Sequence, residues 1–142
     1  MAIGGPGSAD NLVMRSGARR ILVVEDEQTL REPLEYLLQM RHFEVVSVDT
    51  VEGALASAKA QPFDAAIVDL NLKGQSGRDV VVRLPGAIPI IIFSGTVGQS
   101  FQLERIRPRT RLVEKPCSLI WLIDTLDQML TDCRQPAVAA SH

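Results

Sequence analysis

Aromatic residues are scarce, at 4% of 142 residues, and there are two cysteines, Cys117 and Cys133. Few rings mean few platforms on which nucleotide bases could stack. Acids and bases nearly cancel, 17 against 15, for a net charge of −2. Nucleic-acid binders ordinarily carry a basic surplus, so no nucleic-acid partner is expected. The cysteines make no metal-ligand spacing with each other or with His42 and His142, and free thiols in a reducing compartment fit them better than a disulfide. No stretch approaches the roughly 18 apolar residues that cross a bilayer. Gly, Ser, Asp and Asn interrupt the first twenty residues before a signal-peptide core can form. The expectation is a cytoplasmic protein with no membrane contact.

What is present is an ordinary globular mixture, 46% hydrophobic and 23% charged, of a length suited to one domain with one substantial core. Residues 1–18 are rich in Gly and small polar residues without a period and read as a loose leader; residues 135–142 read as a similar tail. Between them, over 19–134, short apolar runs alternate with amphipathic stretches. The runs are ILVV (21–24), VVSV (45–48), AAIVDL (65–70), IPIIIF (88–93) and RLVE (111–114). Most are β-branched and apolar throughout, which marks strands covered on both faces, as in a parallel sheet. The segments between read as helices over 30–41, 52–60 and 118–133, with weaker candidates at 77–84 and about 98–106. The first starts at Thr29-Leu30-Arg31-Glu32, a capping-box pattern that puts Pro33 in the first turn, where its missing N–H costs nothing. Five strands alternating with five helices imply a doubly wound α/β domain, whose ligand chemistry lies beyond the carboxyl ends of the strands.

Those strand ends carry Glu25 and Asp26 after the first, Asp69 and then Asn71 after the third, Ser94 at the fourth, and Lys115 before Pro116 after the fifth. A single acid at a strand end is more often an N-cap or turn residue. Their joint occurrence at four strand ends is much harder to reach by accident. Clustered carboxylates repel unless a cation joins them, and an oxygen-only site with room for water suits Mg²⁺. A phosphoryl group on one carboxylate would be neutralised by metal on one side and an ammonium on the other, with a hydroxyl left to donate to it.

At these residues the sequence resembles the receiver domains of bacterial response regulators, over about 19–134. ILVVEDEQTLREPLEYLL is similar to their first strand, acid pair and first helix. AAIVDLNLKGQSG is similar to the phosphoacceptor strand and its loop, IPIIIFSG to the hydroxyl-bearing strand, and VEKPCS to the Lys-Pro step. The resemblance implies a flavodoxin-like sheet of strand order 2-1-3-4-5 and phosphorylation at Asp69. It implies a Mg²⁺ site (Mn²⁺ as substitute) made by Glu25, Asp26, Asp69 and the backbone carbonyl of Asn71. Lys115 and Ser94 would contact the phosphoryl group, and the Lys115–Pro116 bond is often cis in this family. The implied donor is a sensor histidine kinase or histidine phosphotransfer protein. The protein would catalyse only its own phosphorylation and dephosphorylation, so it is not expected to be an enzyme toward other substrates. With no second domain in 142 residues, the expectation is a stand-alone, chemotaxis-regulator-like protein that signals through an unidentified downstream protein or relays its phosphate.

Several positions depart from the family pattern. The Asp69–Ser94 interval is short, so the third helix should be truncated near Arg83-Leu84-Pro85-Gly86. Lys73 stands where proline is common, and His42 where a left-handed glycine is common. Leu112 replaces the aromatic residue that switches rotamer. Cys117 reads as a small structural side chain. Arg105, Arg107, Arg109 and Arg111 form either a solvated loop or a docking patch for an acidic partner on the surface of the fourth helix, fifth strand and fifth helix. Two other classes compete. A haloacid-dehalogenase-type phosphatase also pairs an Asp nucleophile with a later Ser and Lys, but needs an acidic motif after the lysine, where only helical Asp124, Asp127 and Asp132 stand. A non-phosphorylated, receiver-like interaction module would lack part of the residue set that is complete here.

Overall fold

The computed structural model describes residues 17–85, 87–95 and 101–134. The leader expected over 1–18, except its last two residues, and the tail expected over 135–142 lie outside the described residues. The elements run β1 (Arg20–Val24), α1 (Gln28–Met40), β2 (Glu44–Val48), α2 (Val51–Ala60), β3 (Ala65–Val68), β4 (Asn71–Leu72), β5 (Gln75–Ser76), α3 (Arg78–Arg83), β6 (Ile90–Ser94), α4 (Phe101–Ile106), β7 (Thr110–Glu114) and α5 (Leu119–Arg134). The five long strands form one parallel sheet in the order β2-β1-β3-β6-β7, the expected topology. β4 and β5 make a separate antiparallel hairpin that the sequence reading did not anticipate.

The central strands are buried, save for Arg20 at the start of β1, because both faces are covered. Side chains alternate across a strand, so β1 sends Ile21 and Val23 into one layer and Leu22 and Val24 into the other. The first layer joins Leu34 and Leu38 of α1 to Leu122, Ile123 and Leu126 of α5. The second joins Val51 and Ala54 of α2 to Val80 and Val81 of α3 and Leu103 of α4. Leu112, half-buried, packs on this second layer. Arg41 at the end of α1 also binds Asp124 and Asp127 of α5, at 2.7 and 2.9 Å, across the exposed seam of the first layer.

Four local features bear on the site. The capping box at Thr29 does not form: α1 begins at Gln28, and Glu27 is its cap residue without a capping side-chain bond. Glu27 O accepts from Leu30 N and Arg31 N instead. Pro33 is therefore the sixth helical residue, and the Thr29 carbonyl loses the donor that a non-proline residue would give it. At this start Glu25 Oε2 accepts from Glu27 N at 3.2 Å. At the other end of α1, His42 takes the left-handed φ of 69°, as the departure from glycine implied.

The third helix is short, six residues, as the interval required. Leu84 leaves it at ψ 134°, because a residue before proline avoids the helical region. The last carbonyls of a helix lack internal donors, and here Arg107 supplies them. Its Nη1 donates to Val81 O at 3.1 Å and Leu84 O at 2.8 Å. This corrects the arginine-patch expectation. Arg107 is 8% exposed and belongs to the interior, while Arg105, Arg109 and Arg111 remain at the surface. Burial also pushes the Arg107 pKa down.

Arg107→Ala leaves both carbonyls of the α3 end without their charged donor, so it should lower unfolding free energy by about 2 kcal/mol. Arg109→Ala, at an exposed position, should cost far less. Urea midpoints of the two variants check this, and equal midpoints would return Arg107 to the surface.

Candidate functional site

The carboxyl ends of β1, β3, β6 and β7 meet at one edge of the sheet. Register brings them there: Val24 pairs with Val68, Val68 with Ile92, and Ser94 with Glu114. The residues immediately beyond are Glu25, Asp69 and Lys115. Glu25 and Asp69 are 2% and 4% exposed. The Lys115 ammonium sits between them, 3.0 Å from Asp69 Oδ2 and 3.1 Å from Glu25 Oε1. It also reaches Glu27 Oε1 at 3.5 Å and lies 5.4 Å from the centre of the Phe93 ring. The Lys115 backbone is fixed by donating its N–H to Ser94 O at 2.9 Å, and the Lys115–Pro116 bond is cis.

Three carboxylates, Glu25, Glu27 and Asp69, offer oxygens within 4.8 Å of one another. Glu27 was not among the residues singled out from sequence. The unbroken Glu25-Asp26-Glu27 run was the available signal. Asp26 stands at the rim, its Oδ2 accepting from Lys73 N at 2.8 Å. Asn71 donates its backbone N–H to Asp69 Oδ1 at 3.0 Å. Ser94 is fully buried at the end of β6. Asp124 and Asp127, acids of α5 that follow Lys115, are held there by Arg41 from the end of α1. Cys117 is a free, half-buried thiol. Burial pushes its pKa up, away from the reactive thiolate.

Charge in the pocket is unbalanced. Burial raises Glu25 to about 7, and the Asp69 carboxylate adds to the rise against the pull of Lys115 and the Glu27 N–H. Lys115 is also raised: burial opposes its charge, but the hydrogen bonds it donates to Asp69 and Glu25, together with the charges of those two carboxylates, outweigh burial. One ammonium thus faces more negative charge than it can neutralise. An all-oxygen, partly buried donor set short of positive charge fits a hard divalent cation.

The raised Glu25 pKa has a stability consequence in the absence of metal. The carboxyl's ordinary value is 4.5 and its folded value about 7, so the folded state holds the proton more tightly. That contribution is complete below pH 4.5 and is lost as pH rises through 7. In chelator, the unfolding temperature should fall between pH 5 and pH 8, and Glu25→Gln should flatten the slope. A Glu25→Gln protein with the wild-type slope would show that another group is responsible.

Residues 21–132 match the response regulator receiver domain family. The chain is 38% identical over 74 residues to the sensory transduction protein RegX3 of Mycolicibacterium smegmatis, covering 51% of this chain and 32% of that protein. It spans only about a third of the length of the curated relatives it matches. Among solved structures it is similar to the CheY-like receiver domain from Methylobacillus flagellatus, with 26% identity and a TM-score of 0.68, covering 79% of this chain and 98% of that one. The receiver domain of sensor histidine kinase PA1611 from Pseudomonas aeruginosa shares the fold at 21% identity and a TM-score of 0.69, covering 80% of this chain and 98% of that one. That structure holds a magnesium ion in its active site cleft. No helix among the described residues is long and apolar enough to cross a membrane. The sheet order, the acid pocket around Lys115 and the match over 21–132 together place this chain in the response regulator receiver domain family.

Proposed function

We propose that the chain accepts a phosphoryl group on Asp69 from a phosphohistidine of a sensor kinase or phosphotransfer protein. The observation that carries this reading is the Asp69 carboxylate, buried yet 3.0 Å from a lysine ammonium, in a pocket with more acid than one lysine can balance. An Asp69 oxygen attacks phosphorus, an O–P bond forms, and the N–P bond breaks. The electron pair returns to the imidazole, which takes up a proton. Lys115 already contacts the attacking carboxylate and is placed to pair with a phosphoryl oxygen once the product forms. Ser94, at the end of β6 beside the phosphoacceptor strand, would donate its hydroxyl to another.

The residues fit a divalent cation, Mg²⁺ with Mn²⁺ as substitute. Asp26, Asp69 and the Asn71 carbonyl would hold it, with Glu25 and Glu27 completing the acidic shell. Bound there, such an ion supplies charge neutralisation for the incoming phosphate. The magnesium in the PA1611 receiver supports this assignment by likeness of fold. The protein acts in this reading on itself alone, in the cytoplasm, and hands its signal to another protein or passes the phosphate onward.

Incubation with acetyl phosphate and Mg²⁺, followed by intact-mass measurement, tests the proposal. One phosphoryl adduct should appear on the wild type, vanish with EDTA, and vanish in Asp69→Asn. An adduct that persists in Asp69→Asn at the wild-type rate would move the site elsewhere.

A further inference from the structure

The hairpin after Asp69 is too small to stand alone. β4 and β5 pair only through Asn71 with Ser76 and Leu72 with Gln75, and even longer two-stranded ribbons are marginal in water. Its turn is Lys73-Gly74, with Gly74 in the left-handed region at φ 69°. Three anchors hold it. On the acid side, Lys73 N donates to Asp26 Oδ2 at 2.8 Å. At the root, Gly77 N donates to Leu70 O at 2.9 Å, and Gly77 lies so close under Asp69 that a Cβ there would sit 2.0 Å from the Asp69 carbonyl oxygen. On the far side the anchor is the Gln75 side chain. Its Oε1 accepts from Val51 N at 3.1 Å, and its Nε2 donates to both carboxylate oxygens of Glu52, at 2.9 and 3.0 Å.

Val51 and Glu52 are the first two residues of α2, where backbone N–H groups have no helical acceptor. Thr50 Oγ1 serves Gly53 N, and Gln75 serves Val51 N. One amide therefore uses its acceptor and its donor together to fasten the hairpin to a helix that is docked through Val51 and Ala54.

We infer that Gln75 is a positioning residue for the cation site: by tying the hairpin to the start of α2 it holds the Asn71 carbonyl and the Asp26–Lys73 link in the arrangement that a divalent cation requires. The inference rests on the reading above of Asn71 and Asp26 as cation ligands. Gln75 acts through the hairpin and not on the reacting atoms. An unpinned hairpin would have to be ordered at the moment of binding, and that cost appears as weaker affinity. Phosphoryl transfer at saturating cation would be unaffected.

The test exploits the donor and acceptor pattern. Gln75→Glu keeps the acceptor for Val51 N but sets a carboxylate against Glu52. Glu52→Gln alone leaves an acceptor for Gln75. The double variant restores the pattern in reverse, with the new amide at 52 donating to the new carboxylate at 75. Mg²⁺ is titrated calorimetrically into the unphosphorylated full chain of each, and unfolding in EDTA confirms that each is folded. Gln75→Glu should weaken Mg²⁺ binding about fivefold to tenfold, a loss of the size of one or two hydrogen bonds. Glu52→Gln should stay within about twofold of wild type, and the double variant should recover to about twofold. The rate of acetyl phosphate reaction at saturating Mg²⁺ should match wild type throughout. Wild-type affinity in Gln75→Glu, or a double variant as weak as the single, would overturn the inference alone. A wild type that binds no Mg²⁺ would overturn both it and the function proposed above.

Discussion

Everything at the carboxyl edge of the sheet turns on one ammonium placed among buried carboxylates. Lys115 is 3.0 Å from Asp69 and 3.1 Å from Glu25, both almost wholly removed from water. Burying an acid is costly unless it is paired, so the lysine is what allows the two acids to occupy the interior. It does not satisfy them. Glu25 rises to about 7 because burial and the Asp69 charge outweigh its hydrogen bonds. The pocket is therefore stable enough to form and still short of positive charge.

That arrangement depends in turn on strand register. Lys115 reaches the acids because β7 pairs with β6 through Ser94 and Glu114, and because the Lys115 N–H is held by the Ser94 carbonyl. A slip of one residue would turn each side chain to the opposite face. The two apolar layers prevent such a slip. Ile21 and Val23 belong to the α1–α5 layer, while Leu22 and Val24 belong to the α2–α3–α4 layer. The core thus acts on the chemistry by fixing which atoms stand beyond each strand.

The truncated third helix shows a local deficit met from a distance in sequence. Arg107, beyond α4, folds under the end of α3 and donates to two of its carbonyls. The hairpin that precedes α3 is secured in a similar way, by the Gln75 side chain binding the start of α2 and by Gly77 against Asp69. Both devices tie down the region between β3 and β6 through contacts to distant residues.

The alternation of apolar runs with amphipathic stretches was enough to specify a doubly wound parallel sheet, since side chains buried on both faces leave that pattern directly in the chain. The strand-end positions of Glu25, Asp69, Ser94 and Lys115 followed from it, because each lies within a residue or two of its run. His42 and the shortened third helix were legible too, as departures from the family pattern the sequence resembles. What the residues could not reveal alone were contacts made across sequence distance. Glu27 joined the pocket through Lys115, 88 residues further along the chain. Arg107, one of four alternating arginines, proved to be interior, since only the packed neighbours of α3 determine which guanidinium finds carbonyls to bind. Local pattern dictates which elements form and where they end. Which side chains meet beyond those ends is decided by tertiary packing, because hydrogen bonds and charge pairs depend on distance in space, and only folding sets that.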